Sequence, residues 1–103
     1  MSLIENTKSR TARVREALAG DMFGWESVVL LIGEAASGGW ERVVLKPKLA
    51  VDLSQTKAAK DLVAKLTAHG FGVRWLRVRI TQDEPEIPIL EICWPLAALS
   101  LPQ

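Results

Sequence analysis

"WESVVLLIGEAASGGW", residues 25–40, is the stretch on which the reading of this chain turns. Val28, Val29 and Ile32 are β-branched; such side chains are stiff in a helix and pack well on a pleated surface. Residues 25–32 therefore predict a strand. Apolar residues fall in both of its alternation classes, which predicts a central strand or one covered on both faces. Gly38 and Gly39 allow positive φ, so "GEAASGG" predicts a hairpin loop. It leads into a second strand, "WERVVLK" at 40–46, closed by Pro47.

Outward from that hairpin, the first element reads as a helix. Ile4, Thr7, Thr11, Val14 and Leu18 recur at helical spacing and form one stripe. Asn6 or Thr7 can cap its start, and Gly20 can stop it. A second helix has Ala58, Ala59, Leu62, Val63 and Leu66 on its buried side, with Asp52 or Ser54 as the cap. His69-Gly70 is its stop, because Gly70 can take the left-handed position past a helix end. Residues 72–80 predict a third strand and Ile87–Trp94 a fourth, joined by the polar turn "TQDEPE". Pro88 places the start of the fourth strand at the periphery.

The predicted fold class is α+β, in the order α-β-β-α-β-β. It is a four-stranded, mainly antiparallel sheet with two helices packed on one face. "TARVREAL" and "TKAAKDLV" share a pattern, and Phe23-Gly24 and Phe71-Gly72 each follow a helix, which suggests an internal pseudo-repeat. Residues 1–103 are expected to form a single domain, with 95–103 as a short apolar C-terminal tail.

Composition narrows the function. The chain is 49% hydrophobic and 24% charged, as a globular core requires. A net charge of +1 is not that of a general nucleic-acid binder, although Lys8, Arg10, Arg13 and Arg15 cluster in the first helix. The longest apolar run, Val28–Ile32, is far short of the roughly 20 residues needed to cross a bilayer, so no membrane partner is expected. The N-terminus has no secretory pattern, and Cys93 is the single cysteine. Both point to a soluble cytoplasmic protein.

The third strand, "RWLRVRI" at 74–80, carries the functional question. Alternation puts Leu76, Val78 and Ile80 in one row and Trp75, Arg77 and Arg79 in the other, and the aliphatic row is expected to meet the helices. Sorting the neighbouring strands the same way puts Val43, Leu45, Leu90, Ile92 and Trp94 in the core. The helix-free face would then carry Trp40, Arg42, Val44, Lys46, Trp75, Arg77, Arg79, Ile89 and Glu91, with Glu91 placed to pair with Arg77 or Arg79. A sheet face meeting only water is more polar than this. Indole and guanidinium groups suit interface cores. The leading reading is an interaction or assembly domain that forms homo-oligomers, such as a dimer, or binds another protein through this face.

The alternative is a single-stranded nucleic-acid binder that stacks bases on Trp40 and Trp75 and holds phosphates with the basic rim. A further alternative is an enzyme with an active site at a subunit boundary. No catalytic, cofactor-binding or metal-binding residues are assigned. His69 reads as a helix-end residue and Cys93 as a small strand hydrophobe, while one His with one Cys is too few for a structural zinc site.

Overall fold

The computed structural model describes residues 2–47, 50–79 and 81–95. It contains three helices, α1 (Leu3–Met22), α2 (Trp25–Ser37) and α3 (Lys57–Ala68), and three strands, β1 (Arg42–Leu45), β2 (Gly72–Val78) and β3 (Ile87–Cys93). The order is α-α-β-α-β-β. This corrects the expected four strands and two helices, and the whole difference lies in residues 25–37.

Those residues form a helix because its ends and its second half favour one. Glu34, Ala35 and Ala36 are good helix formers, and the valines carry penalties of only a few tenths of a kcal/mol each. The Gly24 carbonyl accepts the Val28 N–H at 3.0 Å, which opens the helix. At its end the Gly39 N–H donates to the Ala36 carbonyl and the Trp40 N–H to the Ala35 carbonyl, both at 3.0 Å. Gly39 has φ +86°. This is the Schellman arrangement, in which a left-handed residue lets two N–H groups turn back onto the last helical carbonyls. "SGGW" is therefore a helix stop, not a hairpin.

α3 ends the same way. Gly70 has φ +89°, its N–H donates to Thr67 at 3.0 Å, and the Phe71 N–H donates to Leu66 at 3.0 Å. Its start differs from expectation. Thr56 is the cap, accepting the Ala59 N–H at 3.2 Å. Asp52 instead ties a turn by accepting from the Ser54 N–H and hydroxyl at 2.9 and 2.6 Å. α1 is capped by Ser2, which accepts the Glu5 N–H at 3.3 Å, rather than by Asn6 or Thr7. It runs through Gly20 to Met22. The pseudo-repeat fails too: Phe23-Gly24 leads into a helix and Phe71-Gly72 into a strand.

The strand order is β1-β3-β2, with both pairs antiparallel. β1 and β2 therefore run parallel to each other, and α3 lies in the crossover between them. Ala19 and Phe23 of α1's end, Val28 of α2 and Ala59, Leu62 and Leu66 of α3 form one buried cluster with Leu45, Leu90 and Ile92 of the sheet. Val28, Leu66, Leu90 and Ile92 are its largest fully buried side chains, each worth about 1.5–3 kcal/mol of transfer free energy.

Register settles which row of each strand meets the helices. Leu90 faces Leu45 on one side and Trp75 on the other, and Ile92 faces Val43 and Val73. All of these belong to or pack against the cluster. The expected rows of β1 and β3 hold. The row of β2 is reversed: Val73 and Trp75 face the helices, while Leu76 and Val78 lie on the other face beside Ile89 and Ile87. Trp75 meets Phe23 edge to face, with ring centroids 6.3 Å apart. Ile80 and the tail from residue 96 onward lie outside the described residues.

Candidate interaction surface

α2 is apolar around most of its circumference, yet Val28 is its single buried residue. Val29, Leu30 and Leu31 are 45%, 63% and 38% exposed. Glu26, Ser27, Glu34 and Ser37 gather on the side opposite Val28, and Leu30 stands exposed among them. Trp40, held just past α2 by the Schellman turn, is 66% exposed. This apolar and aromatic patch is the chief surface feature. Over eight residues a two-sided strand and a two-sided helix share one pattern, so the local sequence does not disclose this patch.

Next to it, Leu31 lines an apolar cleft of about 590 Å³ with Leu18, Met22, Pro47, Val51 and Leu53. Asp21 and Lys46 stand at the same cleft.

α1 is the second uncovered element. Every residue from Leu3 to Ala17 is exposed, including the apolar Leu3, Ile4 and Val14. One flank of this stretch borders the 52–56 turn, where Lys8, Ala12 and Arg15 lie across a groove from Asp52 and Gln55. Glu16 anchors it there. Its carboxylate accepts the Lys57 N–H and, at 3.5 Å, the Ala58 N–H. These are first-turn donors of α3 that have no partner within their own helix. Burial raises the Asp52 pKa, but the two hydrogen bonds from Ser54 and the charges of Arg15 and Arg77 outweigh it and hold the carboxyl below its ordinary value.

The residues expected on one sheet face are divided by the structure. Arg42, Val44, Ile89 and Glu91 do share the face away from the helices. Glu91 is buried there between two exposed arginines: Arg74 Nε donates to Oε1 at 2.6 Å and Arg42 Nη1 lies 3.8 Å from Oε2. The hydrogen bond and charge of Glu91 raise the Arg74 pKa. The expected partners, Arg77 and Arg79, are replaced by Arg42 and Arg74 because β2 is turned over. Trp75 packs on Phe23, and Arg77 belongs to the helix-facing row. Arg79 follows the end of β2, Lys46 stands at the cleft, and Trp40 sits at the α2–β1 corner. Leu76 and Val78, expected inward, lie on the open face, and Arg74 joins them there opposite Glu91.

His69 caps the end of α3, and its ring lies tilted against Trp25 with centroids 5.1 Å apart. Lys65 Nζ sits 4.7 Å from the Trp25 ring centroid, in cation–π range. Cys93 is half-buried, and its Sγ approaches Gly72 so closely that a Cβ at residue 72 would lie 2.8 Å away. Among the described residues no three His, Cys, Asp or Glu side chains converge as metal ligands. No helix among them is long and apolar enough to cross a membrane. Compared with known protein families, curated proteins and solved structures, the chain matches none.

Proposed function

We propose that this chain is an assembly domain that associates with itself. The observation that carries the reading is α2, with Val29, Leu30 and Leu31 exposed on a helix whose composition suits an interior. Burying an aliphatic side chain contributes about 1.5–3 kcal/mol, so partial exposure of three, with Trp40 exposed past the end of the same helix, leaves several kcal/mol for a partner to recover. The proposed contact centres on α2 and Trp40 rather than on the sheet. The open sheet face is small, and at its centre Ile87, Ile89 and Glu91 are already buried by their neighbours.

The nucleic-acid reading loses its support from paired indoles, because Trp75 packs among core residues while Trp40 stands at a different corner. A lone thiol suits a reducing compartment, and the cytoplasm is the proposed location.

Sedimentation equilibrium of the natural chain and of Leu30→Glu tests the reading. The natural chain is expected to weigh about twice its monomer mass of 11.3 kDa, and the variant to shift toward monomer with an unchanged circular-dichroism spectrum. A natural chain that stays monomeric at high micromolar concentration refutes self-association.

A further inference from the structure

The uncovered parts of α1 and α2 are complementary to each other, and they do not meet within one chain. The free stretch of α1, Leu3–Ala17, is about 22 Å long, and α2 is about 20 Å long at 1.5 Å per residue. Leu3, Arg10 and Val14 lie seven and four residues apart, which puts them on one side of the helix, while Thr7 lines the groove beside the 52–56 turn. Leu3, Arg10, Arg13 and Val14 lie off the flank that borders the 52–56 turn. The outer side of α2 carries Val29 and Leu30 flanked by Glu26 and Glu34, and α2 has no basic residue. Arg10, Arg13, Glu26 and Glu34 are exposed, and none has an ion pair or side-chain hydrogen bond among the described residues.

We infer that the free stretch of α1 docks antiparallel on the outer side of α2 of a second copy, and that two such contacts close a symmetric dimer. One register satisfies both helices. With Val14 against Leu30, Arg10 stands beside Glu34, Arg13 lies between Glu34 and Glu26, and Leu3 reaches Trp40. The second copy is the occupant because the basic apolar helix and the acidic apolar helix are on the same chain. A twofold axis uses each of them once and leaves neither open for further growth. The inference rests on the self-association proposed above and names its surface.

The test exchanges charges. One variant carries Arg10→Glu and Arg13→Glu, and another carries Glu26→Lys and Glu34→Lys. Each variant alone places like charges at both contacts of its own dimer. The mixed dimer places opposite charges at both. Dimer dissociation is measured by sedimentation velocity at low salt, for each variant and for their equimolar mixture, with circular dichroism confirming the fold. Each variant alone is expected to dissociate at least roughly tenfold more readily than the natural chain. The mixture is expected to recover most of the natural affinity, and half-molar salt to erase the differences. If either variant dimerises like the natural chain, or the mixture stays as dissociated as its components, the α1–α2 contact is overturned while self-association stands. A mass that rises without limit with concentration overturns closure into a dimer. A monomeric natural chain overturns both proposals.

Discussion

Trp75 provides the sharpest test of the fold. If it sat on an open sheet face, its truncation would remove a solvated side chain and change stability by no more than about 0.5 kcal/mol. The structure instead places it against the helices, half-buried, edge-on to Phe23, which is 5% exposed. Truncating a fully buried aromatic residue costs about 3–5 kcal/mol, so half burial puts Trp75→Ala at about 2–3 kcal/mol. In a domain of this size that lowers Tm by roughly 10–20 °C. Urea unfolding followed by far-ultraviolet circular dichroism is the suitable assay, because the substitution alters tryptophan fluorescence. Protein concentration must be held fixed, since association shifts apparent stability. Arg77→Ala, two residues along the same row but exposed, is the control and should stay within about 0.5 kcal/mol. A cycle with Phe23→Leu should show a coupling of about 1 kcal/mol from the edge-to-face pair. A Trp75→Ala protein as stable as its Arg77→Ala counterpart would refute the helix-facing placement.

Other consequences concern helix ends and pH. Gly39→Ala and Gly70→Ala should each cost about 1–2 kcal/mol, because both residues hold left-handed backbone at φ +86° and +89°. Gly20→Ala should instead stabilise by up to about 1 kcal/mol, since it lies inside α1 and a Cβ there meets nothing within 4 Å. Urea midpoints at neutral pH separate the two cases, and a stabilised Gly39→Ala would contradict the Schellman ending of α2. Asp52 has a folded pKa below the ordinary 3.8, set against its burial by the Ser54 hydrogen bonds and nearby arginines. Its contribution to stability is therefore complete above that value and is lost as pH falls through the lowered one. Asp52→Asn should flatten the acid side of the stability curve, and parallel curves for the two proteins would rule this contribution out.

Where a residue's neighbours along the chain settle its state, the sequence was sufficient. α3 was legible because its apolar stripe and its His69-Gly70 stop agree. The rows of β1 and β3 were legible because a charged residue marks the outward one in each, Arg42 in β1 and Glu91 in β3. The end of α2 carried the same kind of signal, Gly39 followed by Trp40, as Gly70 followed by Phe71. It was outweighed by a run of β-branched and aliphatic residues that satisfies a strand and a helix equally over so short a span. In "RWLRVRI" both rows hold large apolar groups, so alternation separates them without saying which is inside. Pairing with β3 decides that. Trp75 stands opposite Leu90 on the helix side, and Arg74 stands opposite Glu91 on the other. The candidate surface was hidden for the same reason. Exposure of Val29, Leu30 and Leu31 is a property of what three helices leave uncovered on one small sheet, and local pattern holds no information about contacts that are missing.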